Sequence, residues 1–169
     1  VFVLESGLEH QAICAGSELN PCFGLQKQDV TMVSPQEAYE LQSNGAILVD
    51  LSKSLTYREK HAKGSAFAVR ANLRDDLSKF PKNSQMIFIS DNQNLAILTA
   101  LDFAKTELKV AVVDGGTRAW ENEGLPMEAG MTNLISQQID VYLRPYDRQD
   151  PKEIEKAMNE YLEWELGLV

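Results

Sequence analysis

The sequence predicts an α/β fold: a mostly parallel central sheet flanked by helices, with a C-terminal helical extension. Three observations carry that expectation. Short apolar runs alternate with helix-forming segments through the middle of the chain, the order expected when strands and covering helices share one sheet. The run Ala46–Leu51 (AILVDL) is apolar on successive residues, as in a strand buried on both faces. Helix-start chemistry falls between the runs, most completely at Ser34-Pro35-Gln36-Glu37, where an N-cap serine precedes proline at the first helical position and glutamate three residues on.

The elements follow in order. Val30–Val33 is a short extended run, and the capped helix after it should reach Ser43 before Gly45. Strand Ala46–Leu51 comes next, then a short helix over Leu55–His61 ending near Gly64, a strand at Phe67–Val69, and a helix over Leu73–Phe80 closed by Pro81. Strand Gln85–Ser90, helix Asn94–Thr106, strand Lys109–Asp114 and helix Thr117–Glu123 complete the series, with Gly124-Leu125-Pro126 as the stop. The helix over Asn94–Thr106 is apolar nearly all round and should be largely buried.

Composition narrows the functional classes. The chain has 169 residues, 44% hydrophobic and 24% charged, enough for one domain with a substantial core. Its net charge of −9 is spread along the sequence, which argues against nucleic acid and anionic membrane surfaces as partners. No apolar run nears the roughly 20 residues that span a bilayer, and no secretory signal pattern opens the sequence, so a cytoplasmic protein is expected. Cys14 and Cys22 are too few for a disulfide framework and match no common zinc spacing, and His10 and His61 are the only histidines. Neither a metal site nor a cofactor is expected.

Several pieces in order bring a family into view. Leu48-Val49-Asp50, Tyr57, His61-Ala62-Lys63-Gly64-Ser65, Val113-Asp114-Gly115-Gly116, Trp120 and Gly124-Leu125-Pro126 resemble the motifs of a rhodanese domain, the sulfurtransferase superfamily, over Thr31–Glu128. The family has Asp-x-Arg at the end of the second strand, His-x-x-Gly-Ala after it, and Gly-Gly, Trp and Gly-x-Pro near its close. The resemblance implies an active-site turn after strand Gln85–Ser90, with a Cys-x-x-Gly-x-Arg-Ser pattern whose backbone N–H groups cradle a persulfide. In this sequence the cysteine falls on Ser90, the glycine on Gln93, the arginine on Leu95 and the serine on Ala96, while the arginine of Asp-x-Arg falls on Ser52.

Each replacement removes part of the chemistry. A thiolate is the nucleophile of sulfur transfer because an electropositive cradle can lower its pKa from about 8.5, whereas a serine hydroxyl needs an adjacent base. Serine also cannot carry a persulfide. Asp91 adds negative charge where an anionic donor would enter, and Gln93 restricts the backbone where positive φ favours glycine. No residue is therefore assigned as catalytic. The turn Ser90, Asp91, Asn92, Gln93, Asn94 and Leu95 is kept as a degenerate ligand site, with a small anion as its candidate ligand.

The two ends extend the comparison. Val1–Gly7 can be laid on Val110–Gly116 at a constant offset, with a helix-like stretch behind it reaching Gly16. Either two short strands are alike by chance, or residues 1–16 close a preceding rhodanese-like domain and 17–29 form a linker to the domain at 30–128. Residues 129–169 form the C-terminal extension. In it Asp150-Pro151-Lys152-Glu153 starts a helix with Ile154, Ala157, Met158, Tyr161, Leu162 and Glu165 on one side. That stripe either packs on its own domain or docks another domain or a second chain.

The leading expectation is a catalytically inactive rhodanese-like module with a structural, binding or regulatory role in a longer tandem chain, its partners being other rhodanese-like domains or a second copy. The alternatives are sulfur transfer in this chain or elsewhere in the parent, and anion binding by the surviving N–H cradle.

Overall fold

The structure is a computed structural model that describes residues 30–81, 84–148 and 150–168. Residues 1–29, which hold the repeat, the linker, His10 and both cysteines, lie outside the described residues. Five parallel strands form the central sheet in the order β1-β6-β5-β2-β4: β1 Met32–Val33, β6 Val110–Val113, β5 Met86–Ile89, β2 Ile47–Asp50 and β4 Ala66–Phe67.

Alternation along the strands explains why both faces are covered. Val49, Met86, Phe88 and Val112 point to one side, where α3 (Arg70–Asp76) and α4 (Gln93–Asp102) add Leu73, Ala96, Ile97 and Ala100. Leu48, Ile87, Ile89, Ala111 and Val113 point to the other, where α1 (Pro35–Ser43) and α5 (Gly116–Asn122) add Ala38 and the fully buried Trp120. A sheet sandwiched in this way needs apolar residues at successive positions, as Ile47–Val49 and Met86–Ile89 supply.

Helix α1 has the bounds its capping residues predict. The Glu37 N–H donates to Ser34 Oγ at 3.2 Å, and the Ser34 N–H donates back to Glu37 Oε2 at 3.3 Å. Other boundaries differ from expectation. The helix expected through His61 is α2, Ser54–Glu59, and His61–Ala62 is instead strand β3, paired antiparallel with β7, Met127–Glu128. That pairing joins residues far apart in sequence, which local propensity does not report. The helix expected over 73–80 begins at Arg70, and its last turn, Leu77–Lys79, tightens to 3-10 geometry. The helix expected through Thr106 ends at Asp102, because Thr106 Oγ1 donates to the Phe103 carbonyl at 2.7 Å and accepts the Leu108 N–H at 3.3 Å, closing a side-chain turn. Its burial is one-sided: Ala96, Ile97, Thr99 and Ala100 are buried, Leu98 and Leu101 half-buried, and Asp102 exposed.

The first part of the C-terminal extension is woven into the core. Ile135 packs on the α3–α4 side, Ser136 donates to Asp76, and the Ile135 N–H donates to the Phe67 carbonyl at 3.0 Å. Beyond it, α6 (Pro151–Leu166) packs on the 3-10 turn Pro145–Asp147, and none of its residues is fully buried. Among the described residues, no helix is long and apolar enough to cross a membrane.

Candidate functional site

Three strand-to-helix connections meet at the C-terminal ends of β2, β5 and β6, the edge of a parallel sheet where ligand sites usually form. The middle one is the turn singled out in the sequence. Ser90 is fully buried, Asp91 and Asn92 are exposed, and Gln93, Asn94 and Leu95 are half-buried.

The turn's polar groups bind one another. Ser90 Oγ donates to Asp91 Oδ1 at 3.2 Å and accepts the Asn92 N–H at 3.1 Å. Asn92 caps α4 by accepting the Asn94 N–H on its side-chain oxygen at 3.2 Å, and its carbonyl accepts the Leu95 N–H at 3.0 Å. The Asp91 N–H donates to Ser52 Oγ at 2.9 Å. Four of the turn's backbone donors are thereby taken up by protein oxygens. Gln93, at the family's glycine position, donates through Nε2 to Asp114 Oδ1 at 2.7 Å and so ties this turn to the β6–α5 turn.

Ser52, at the family's arginine position, is nearly buried and acts on the turn by accepting the Asp91 N–H. It is held in place by Asp50, whose Oδ1 accepts the Ser52 N–H at 2.8 Å. Asp50 is fully buried, and its other oxygen, Oδ2, has no hydrogen-bond partner. Burial pushes its pKa up to about 6; the Ser52 hydrogen bond and His61 oppose the rise, while Asp91 adds to it. The sequence places Asp50 in the family's Asp-x-Arg motif but gives it no role in the site, although an aspartate at the end of a strand apolar on successive residues is a local signal for one.

The β6–α5 turn supports the site from below. Gly115 and Gly116 both have positive φ, +75° and +59°, and a Cβ on Gly116 would lie 2.1 Å from the Ser90 carbonyl oxygen. Only glycine permits that approach. The same carbonyl accepts the Thr117 N–H at 3.2 Å.

His61 is fully buried. Its ring stacks on Tyr57 with centroids 3.6 Å apart, and Nδ1 lies 2.6 Å from the Tyr57 carbonyl oxygen, which makes Nδ1 a donor. Nε2 is 3.2 Å from both Glu128 Oε1 and Thr132 Oγ1. The Gly64 N–H, first, and then His61 and Thr132 hold the Glu128 carboxyl below its usual range against the opposing effect of its partial burial. His61 therefore fastens β3 to β7. Among the described residues, no group of three or more His, Cys, Asp or Glu could hold a metal ion.

The comparisons with known proteins agree with this geometry. The model of the rhodanese-like domain family matches residues 34–123, and the chain belongs to that family. A crystal structure of thiosulfate sulfurtransferase from Pseudomonas aeruginosa is similar at 32% identity and a TM-score of 0.72, over 83% of this chain. The match takes up only 27% of that protein, so this chain spans about a quarter of its length. Reduced CoADR-RHD of Bacillus anthracis matches at 24% identity and a TM-score of 0.51 over 55% of this chain and 17% of its own. A rhodanese-related protein from Thermoplasma volcanium matches at 16% and 0.53, over 58% of this chain and 97% of its own. These last two show the fold alone. A search of curated proteins returned no match.

Proposed function

We propose that this chain is a non-catalytic rhodanese-like module that serves as a structural or binding unit within a longer tandem sulfurtransferase-like protein. The observation that carries the proposal is Ser90, which stands at the family's cysteine position, fully buried, with its hydroxyl donating to Asp91 and accepting from the Asn92 N–H. An alcohol in that place has neither the thiolate character nor the reversible sulfur–sulfur bond that persulfide transfer requires. Asp91 as its acceptor puts negative charge where an anionic donor would approach. The engagement of the Asp91, Asn92, Asn94 and Leu95 N–H groups favours a structural or protein-binding role over anion capture. The tandem context is supported by the Pseudomonas aeruginosa protein, of which a chain like this one would be about a quarter.

The second reading is an enzyme, favoured by that relative being a thiosulfate sulfurtransferase, with sulfur transfer residing in this chain through the Ser90 turn or through Cys22 brought near it, or in another domain of the parent. A thiosulfate-to-cyanide assay with and without thiol alkylation tests both. The expected result is no thiocyanate above the uncatalysed background. Turnover abolished by alkylation supports the enzyme reading, and turnover that survives alkylation and vanishes in Ser90→Ala overturns the reading of the turn.

A further inference from the structure

Asp50 is a fully buried carboxyl whose Oδ2 meets no hydrogen-bond donor, and its place on β2 explains why. Alternation puts it on the face of Leu48, and the sheet register sets it between Phe67 on β4 and Ile89 on β5, both apolar. The Phe67 ring lies against Tyr57 of α2, which stacks on His61 of β3. Tyr57 and His61 both sense the Asp50 charge. The way from Asp50 to solvent leads past the end of β2, where the chain reaches Ser52 and, across the sheet edge, the exposed Asp91.

Two hydrogen bonds in series close that end. Asp50 Oδ1 accepts the Ser52 N–H at 2.8 Å, and Ser52 Oγ accepts the Asp91 N–H at 2.9 Å. A neutral Asp50 suits this arrangement, since its apolar neighbours ask for no charge. An ionised Asp50 does not, because Oδ2 then holds charge with no donor and only water can supply one. Asp91 opposes that charge with its own. Parting the Ser52–Asp91 bond relieves both, by admitting water and by letting Asp91 move away. One neutral hydrogen bond is a weak closure over a buried charge.

We infer that the Ser52–Asp91 bond is a clasp governed by the proton on Asp50: with Asp50 neutral the Ser90 turn stays shut, and with Asp50 ionised the bond parts and water enters beside the turn. The titratable groups that face Asp50 are His61 of β3, Tyr57 of α2 and Asp91 of the turn, while β4 and β5 present Phe67 and Ile89 in register. Glu128 of β7 lies beyond His61, and Lys53 is exposed. Tyr57 stays neutral below pH 10, since burial raises its hydroxyl above the ordinary 10.0. Burial, the largest influence on Asp50, sets the change near pH 6. The clasp goes beyond the proposed function and works whether or not the turn transfers sulfur.

Amide hydrogen exchange followed by NMR on the full chain tests it, each rate being divided into the intrinsic rate at the same pH. Protection of the Asp91 N–H should fall about tenfold between about pH 5 and pH 7, the linkage expected when an open turn returns Asp50 to its ordinary acidity. Met86, whose N–H donates to the Lys109 carbonyl at the other end of the sheet, should keep its protection. Asp50→Asn removes the charge and should hold the Asp91 N–H protected at every pH. Asp91→Asn keeps the backbone donor and should move the transition to lower pH without abolishing it. Ser52→Ala removes the acceptor and should leave that N–H unprotected throughout. Protection that does not vary with pH would overturn the inference, as would a loss shared equally by Met86. A transition that survives Asp50→Asn would belong to His61, one abolished by Asp91→Asn would belong to Asp91, and full protection in Ser52→Ala would mean that no clasp exists; each overturns it. None of these readouts involves sulfur transfer, so the two proposals can fail separately.

Discussion

The β6–α5 turn and the β5–α4 turn sit side by side on one sheet edge, yet they relate to the family pattern in opposite ways. Gly115-Gly116 matches the expected pair, and the structure shows why: both have positive φ, and Gly116 faces a backbone carbonyl that leaves no room for a side chain. Ser90–Leu95 matches at none of the positions that would hold or activate sulfur, yet it keeps the strand, the N-cap and the helix. Packing fixes residues in the first turn. In the second, only chemistry would have fixed them, and backbone N–H groups donate instead to the side-chain oxygens of Ser52, Ser90 and Asn92. The lesson is that the strand-turn-helix scaffold persists through a change of every residue type the family pattern places in the turn.

The comparison breaks most directly at Gly116. Gly116→Ala forces a β-carbon onto the Ser90 carbonyl at a positive φ, adding backbone strain to overpacking, and should cost about 4 kcal/mol in denaturant unfolding. A loss below about 1 kcal/mol would mean that the two turns are not locked together.

Asp50, at the end of β2 beside the Ser90 turn, gives the next effect. Its folded pKa of about 6 lies above the ordinary value of 3.8, so the folded protein holds this proton more tightly than the unfolded chain. Its contribution is complete below about pH 4 and is lost as pH rises through about 6, amounting to about 3 kcal/mol at most by linkage. Asp50→Asn keeps an acceptor for the Ser52 N–H and removes the charge. The variant should gain stability relative to the parent chain between pH 4 and 7, measured by melting temperature across that range. Parallel curves would show that Asp50 is solvated or paired in solution.

Ser90→Cys should have the smallest effect on stability, within about 1 kcal/mol, and should not create a sulfurtransferase. The new thiol would be buried beside Asp91 with the neighbouring N–H groups engaged, so its pKa should stay at or above about 8.5. Titration of the thiol together with the thiosulfate assay checks this. A depressed pKa with robust turnover would show that the turn retains an electropositive cradle.

Legibility in the sequence followed the range of the interactions. Helix α1 and the start of α6 were readable because Ser34, Pro35 and Glu37, and Asp150 and Pro151, act on backbone within one turn. The central strands β2, β5 and β6 were readable because both-face burial demands unbroken apolar runs, and the place of the Ser90 turn because a polar break follows one such run. His61 as a strand residue was not readable, since its partner is Glu128. Ser52 as the acceptor for the Asp91 N–H was equally hidden, because only the sheet brings those residues together.

Strand β1 has a consequence for how the domain comes apart. Two residues long and at the end of the sheet order, it pairs Met32 with Val112 and Val33 with Val113, partners separated by most of the family domain. Ordering so distant a pair costs loop entropy that only a few backbone bonds repay, so β1 should seat last during folding and leave first during local opening. Its departure would bare the β6 edge, Val110-Ala111-Val112-Val113, a run well suited to pairing with another chain. Among the described residues, protection of that edge against aggregation rests on a two-residue latch.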